Sequence, residues 1–191
     1  IGSVPLLFEI ERDLIASNTG KERYIPFLVE EARRLEKAGV DFLVMPCNSL
    51  HVFIDEIRGA VSIPVLSIVE ETINYLKSMN YNKVGLISTS ATIANNVYET
   101  KFSESGISYV APNDLQRAKM DKIIQRLIEG RHLNDDRKLI LETVDELATQ
   151  EVDCVALACT DLQLLVPSGA KVPIFDTMKV LAEATVRIIL S

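Results

Sequence analysis

Histidine occurs only twice in these 191 residues, cysteine three times, and no stretch gathers lysine or arginine. Each shortage excludes a class of function. Two histidines without a G-x-S-x-G leave a serine hydrolase without its parts. Cys47 and His51 stand in Cys-x3-His spacing, but no further histidine or cysteine completes a metal shell, so no metal is expected. An odd set of cysteines in a large apolar chain does not form a disulfide framework, and a reducing cytoplasm fits it best. A net charge of −7, with pI near 4.9 and no basic run, offers no electrostatic reason to bind nucleic acid or an anionic membrane. The apolar runs are far shorter than a membrane span, and no charged-then-apolar leader opens the chain. Neither G-x-x-x-x-G-K-[ST] nor G-x-G-x-x-G occurs, so nucleotide binding has no motif behind it.

What remains is a chain 48% hydrophobic and 25% charged, long enough to bury a core, lying in size between one domain and two small ones. Short β-branched runs alternate with amphipathic stretches throughout. Val4–Phe8 reads as a strand. Tyr24–Ala38 reads as a helix ended by Gly39, and Val40–Met45 as a strand covered on both faces. A helix over about 49–59, a strand at IPVLSI and a helix over Glu70–Met79 follow. Then come strand KVGLIS, helix Ile93–Ser105, strand ISYVAP, and helices over about 115–130 and 134–150. VDCVALA and VPIFD read as strands, and Val180–Leu190 as a closing helix. Such alternation predicts an α/β fold with parallel sheets and right-handed crossovers.

One stretch is echoed. VDFLVMPCNSL at Val40 returns as VDCVALACTDL at Val152, 112 positions on. Each copy leads to a helix start and then to a proline-bearing strand, IPVLS and VPIFD, with the second spacing at 109. The echo predicts two similar Rossmann-like α/β domains related by a pseudo-twofold, with the active site in the cleft between them. The first is residues 1–68 plus 174–191, carrying Cys47; the second is 69–173, carrying Cys159. Ligands in open parallel sheets bind beyond the carboxyl ends of strands, where both cysteines lie.

A free thiol has a pKa of about 8.5, which a helix N-terminus can lower to roughly 3.5–7.5. Cys47 precedes Asn48-Ser49 and Cys159 precedes Thr160-Asp161, both cap-forming pairs. On opposite faces of a substrate α-carbon, one thiolate could remove the proton and the other thiol return one, with no need for a cofactor. Cys154 has no counterpart in the first copy, where Phe42 stands, and reads as core. The loop Ser88-Thr89-Ser90-Ala91-Thr92 offers hydroxyls and helix N-terminal N–H groups, either as a carboxylate cradle or as an ordinary cap. His51, one helical turn after Cys47, could tune the thiolate or serve as a hydrogen-bonded helix residue. His132 reads as solvent-facing.

MPCNSLH resembles the MPCNTAH segment of the aspartate/glutamate racemase superfamily, and ACTDLQLL resembles its second GCTE motif. KVGLISTSATIANNVYE and KVPIFDTMKVLAEATV extend the likeness over nearly the whole chain, nearest to aspartate racemases. The resemblance implies two α/β domains, PLP-independent chemistry, a small amino-acid substrate, a homodimer, and Cys47 and Cys159 as the catalytic thiols. It further implies substrate contacts from Asn48, Ser49, Thr89, Thr92 and Thr160. Arg12, beside Glu11, falls at the family's Asp-Arg pair and would clamp a carboxylate. Three departures stand out. Ile128 occupies the place of a lysine in aspartate racemases, with Lys122 or Arg126 as possible substitutes. Asp161 replaces a glutamate. The glycine-rich opening strand is missing, with Ile1-Gly2 at its place. The resulting expectation is interconversion of L- and D-aspartate. Glutamate or broad-specificity amino-acid racemase, hydantoin racemase, maleate isomerase and a silent amino-acid binder are the alternatives.

Overall fold

The computed structural model describes Gly2, Val4 and residues 20–191. The expected first strand, Val4–Phe8, and Arg12 lie outside the described residues apart from Val4 itself.

Helix α1 (Ile25–Lys37) buries Leu28 and Ala32 against β1 (Leu43–Val44) and β2 (Val65–Leu66), which pair in parallel. Between them run a 3-10 helix at Ser49–Phe53 and α2 (Ile54–Ala60). The strand predicted over Val40–Met45 is shorter and covered on one side only, because Leu43 is buried while Val44 is 37% exposed.

A larger, four-stranded parallel sheet in the order β4-β3-β5-β6 makes up the rest, from β3 (Lys83–Ser88), β4 (Ser108–Val110), β5 (Cys154–Ala158) and β6 (Ile174–Asp176). Every residue of β5 is fully buried, as a continuously apolar central strand should be. One face is covered by α3 (Ile68–Ser78) and α5 (Glu99–Glu104), through Ile73, Leu76 and Phe102. The other is covered by α6 (Asp114–Ile128) and α7 (Asp136–Ala148), through Ile123, Ile124, Val144 and Leu147. Cys154 opens β5 inside the first of these cores, where burial pushes its thiol up to about 12.

The helix expected over Ile93–Ser105 is two pieces, α4 (Ser90–Ala94) and α5. Asn96 separates them with φ of 52°, a left-handed conformation that asparagine tolerates better than most residues and that a continuing helix cannot contain. The closing helix α8 (Thr177–Leu190) starts earlier than predicted, capped by the Asp176 carboxylate on the Lys179 N–H at 2.7 Å.

The echo has a structural counterpart. Leu43 pairs with Val65 as Val155 pairs with Ile174, at the two sequence offsets read above. The Leu43 N–H reaches the Pro64 carbonyl at 2.8 Å, and the Val155 N–H reaches Pro173 at the same distance. Ser67 caps α3 as Asp176 caps α8, and these two helices pack on one another. One boundary differs from the sequence division. Ile174–Asp176, placed with the first domain, is hydrogen-bonded to β5 and belongs to the four-stranded sheet. The repeated unit is strand, 3-10 helix, strand and helix, so a boundary drawn before β6 cuts through it.

Candidate active site

Cys47 follows β1 and Pro46 in a tight turn, its N–H bonded to the Met45 carbonyl at 2.9 Å. Cys159 follows β5, is 8% exposed, and leads into a 3-10 helix at Thr160–Leu165. Neither helix matches the simple argument for an acidic thiol. Each is a short 3-10 segment, of five and six residues, and the Asn48 side chain does not cap the first. The Asp161 and Leu162 amides do lower the Cys159 pKa, but burial outweighs them, with the charges of Asp161 and Cys47 adding to the rise. The Cys159 thiol is therefore held well above its ordinary range, protonated at neutral pH, with Sγ donating to Asp161 Oδ2 at 3.8 Å. Burial also raises the Asp161 carboxyl. Cys47 is among the groups that raise the Cys159 pKa, although 112 residues of sequence separate the two.

Three hydroxyls meet between the halves. Ser49 Oγ lies 3.1 Å from Thr89 Oγ1 and 2.9 Å from Thr92 Oγ1, and the two threonine oxygens are 2.9 Å apart. Thr89 is also the N-cap of α4, accepting from the Thr92 N–H at 3.1 Å, so the cap and the hydroxyl cluster are one structure. Asp121 of α6 holds the Ser90 N–H at 2.9 Å and bonds its hydroxyl, which fixes the loop from behind. Thr160 is half-buried beside Cys159.

Asn48 is 2% exposed, and both ends of its amide are engaged within the protein. Tyr98 O–H donates to Oδ1 at 2.5 Å, and Nδ2 donates to Thr177 Oγ1 at 3.1 Å. Sequence reasoning passed over Tyr98 and Thr177. The one available signal was the echo, since Thr177 is the first residue of α8 as Ile68 is of α3.

His51 holds the backbone around Cys47. Its Nε2 accepts the Ile68 N–H at 3.0 Å, so Nδ1 carries the proton and donates to the Cys47 carbonyl at 2.6 Å. Burial lowers its pKa to about 4, so it is neutral at physiological pH and no acid or base there. His132 is exposed, as expected. Of the two cations considered as replacements at Ile128, Arg126 is committed to Asp136, which is fully buried, and Lys122 is exposed. Ile128 itself packs against the apolar cluster that includes Cys159. Among the described residues no group of three or more His, Cys, Asp and Glu side chains could hold a metal, and no helix is long and apolar enough to cross a membrane.

The geometry has relatives. The chain is 32% identical over 160 residues to the broad specificity amino-acid racemase RacX of Bacillus subtilis (strain 168), covering 83% of this chain and 69% of that one. It is 27% identical over 153 residues to a glutamate racemase of Persephonella marina, covering 78% of this chain and 56% of that protein. An aspartate racemase homologue from Pyrococcus horikoshii OT3 superimposes with a TM-score of 0.79 at 23% identity, over 94% of this chain and 80% of that one. The aspartate racemase of Picrophilus torridus does so at 0.73 and 23% identity, over 97% and 75%. These two likenesses establish the two-domain α/β fold. The family profile for Asp/Glu/hydantoin racemases matches residues 11–185. The chain belongs to the Asp/Glu/hydantoin racemase family.

Proposed function

We propose that the protein is a cofactor-independent amino-acid racemase whose two thiols, Cys47 and Cys159, act on opposite faces of the substrate α-carbon. The observation that carries this reading is the matched placement of the two cysteines, each at the end of a strand with the same pairing register, with the charge of one felt by the other. A two-base inversion needs one sulfur ionised and one protonated at the start of each turnover. Burial and the Asp161 carboxylate keep the proton on Cys159. Cys47 then removes the α-proton of the first enantiomer, and Cys159 delivers its own proton to the other face. Asp161, in contact with Sγ, stands ready to hand on or receive that proton when the roles reverse. The Ser49, Thr89 and Thr92 hydroxyls and Thr160 supply hydrogen bonds to the α-carboxylate and ammonium, and Arg12 a cation for a carboxylate.

Substrate choice follows from the side-chain site. With Ile128 in place of lysine and Arg126 held by Asp136, exposed Lys122 is what remains of the cations weighed for a side-chain carboxylate near α6. This supports a broad-specificity enzyme, with aspartate as one of several substrates. The similarity to the broad-specificity relative favours the same reading.

Proton NMR in D2O of the L and D forms of aspartate, glutamate and neutral amino acids tests this. The α-proton signal should disappear with inversion for more than one amino acid. Cys47→Ser and Cys159→Ser should each lower inversion by about 10²-fold or more, the usual worth of a positioned acid or base. Full activity in either variant, or no α-proton exchange with any amino acid, overturns the proposal.

A further inference from the structure

We propose that Thr177 is a positioning residue that sets the separation of the two thiols, bridging the Asn48 amide to the Leu157 carbonyl while Tyr98 holds that amide in place. The inference rests on the two-thiol reading above. Its basis is a buried network of hydrogen bonds that joins Asn48, Tyr98, Thr177 and Leu157. Tyr98 O–H fills Asn48 Oδ1 at 2.5 Å, and Asn48 Nδ2–H donates to Thr177 Oγ1 at 3.1 Å. The Thr177 hydroxyl has one proton, within reach of the Leu157 carbonyl at 3.3 Å, and it also meets the Tyr98 hydroxyl. Asn48 Oδ1, which also accepts from Tyr98, lies 3.4 Å from the same hydroxyl and is the more distant of these two acceptors. The result is a continuous path from Cys47 through the adjoining Asn48, across Thr177, to Leu157, two residues before Cys159.

The path crosses between the halves. Asn48 immediately precedes the 3-10 helix after β1, whereas Thr177 opens α8 and Leu157 lies in β5. Thr177 is placed there because its neighbour Asp176 pairs with Leu157 in the sheet. Asn48, Tyr98 and Thr177 are each no more than 2% exposed. A buried polar network of this kind is costly unless every member is paired, and once paired it specifies one arrangement. Apolar side chains could fill the same space, but they would not fix a distance as directional bonds do. Two thiols that share one α-carbon need a fixed distance, since a misplacement of about 1 Å can cost on the order of 10²-fold in rate.

Two measurements test the idea, on wild type, Thr177→Val, Thr177→Ser and Tyr98→Phe. The first needs no activity: reaction with dibromobimane, which bridges two nearby thiols, read by peptide mass spectrometry. The wild type and Thr177→Ser should give the Cys47–Cys159 bridge. Thr177→Val should give mainly single adducts, with bridging reduced about tenfold, and Tyr98→Phe should fall between. The second is racemisation in D2O, comparing inversion with deuterium incorporated into recovered substrate. In Thr177→Val the kcat for inversion should fall about tenfold with KM little changed, while deuterium per inversion rises, because the first thiol still removes the proton but the second delivers poorly. A loss of folded protein would instead lower both in proportion, and Tyr98→Phe covers the case in which Thr177→Val does not fold. Bridging at the wild-type rate in Thr177→Val, no bridge in the wild type, or no rescue by serine overturns the proposal. If the wild type racemises nothing, the racemase reading fails, and the bridging result still decides the spacer.

Discussion

Acid should cost this protein about 3 kcal/mol of stability through one side chain, His51. The ring is 4% exposed, and both nitrogens are committed, Nδ1–H to the Cys47 carbonyl and Nε2 to the Ile68 N–H. A second proton on Nε2 would meet an N–H group with no water to receive it. Burial is the main cause of the depressed pKa, offset in part by the Cys47 carbonyl, with Arg58 lowering and Glu70 raising it further. The folded value of about 4 stands against an ordinary 6.5, a gap of about 2.5 units at 1.36 kcal/mol each. The sign is set by which state takes up the proton. Above an ordinary pKa of about 6.5 neither state does; between there and about 4 only the unfolded chain does, so stability falls as pH falls and the loss is complete below about 4. The comparison is with His51→Asn, whose amide keeps a donor near the Cys47 carbonyl but leaves the Ile68 N–H unpaired. At neutral pH that variant should be about 1–3 kcal/mol less stable in urea unfolding. On acidification the difference should move by about 3 kcal/mol in the variant's favour, closing or reversing the gap, since only the wild type carries the histidine penalty. With two histidines in the chain, ring-proton NMR assigns the titration directly. A gap independent of pH, or a His51 ring titrating near 6.5, would refute the reasoning.

Two further outcomes follow from packing. Gly85 lies in β3 where an added Cβ would sit 2.9 Å from Val155 and 3.2 Å from Leu147, so Gly85→Ala should destabilise by about 1–3 kcal/mol, read from the urea midpoint. Asp136, fully buried, accepts from Arg126 and from the Leu133 N–H at 2.8 Å, and Asp136→Ala should cost about 1–3 kcal/mol because part-buried Arg126 and the Leu133 N–H lose their partner; a change below about 0.5 kcal/mol would refute this.

The residues that sequence reasoning placed well are those whose setting is covalent. Alternating strands and helices, the proline-bearing strands and the cysteine after each repeated strand all follow from local pattern, and the repeated register confirms the echo as structure. The thiol environment was read less well. Cap-forming neighbours suggested acidic cysteines, but the helices are short 3-10 segments and the burial of Cys159 dominates its pKa. Burial is created by elements far along the chain, so no window around the cysteine contains it. The hydroxyl loop was legible as a cap, whereas its meeting with Ser49 requires residues 40 and 43 positions apart to come together.

By itself the sequence determined the α/β class, the duplicated unit, the two strand-end thiols and the family likeness, because periodicity and short motifs act through neighbouring residues. Only the tertiary structure decided that β6 joins β5, that His51 is a neutral pin and not a base, and that Asn48 is bound by Tyr98 and Thr177, 50 and 129 positions away. The reason is physical. Charge state and hydrogen-bond partnership depend on which distant groups exclude water from a side chain, and that is settled only when the halves of the chain are packed together.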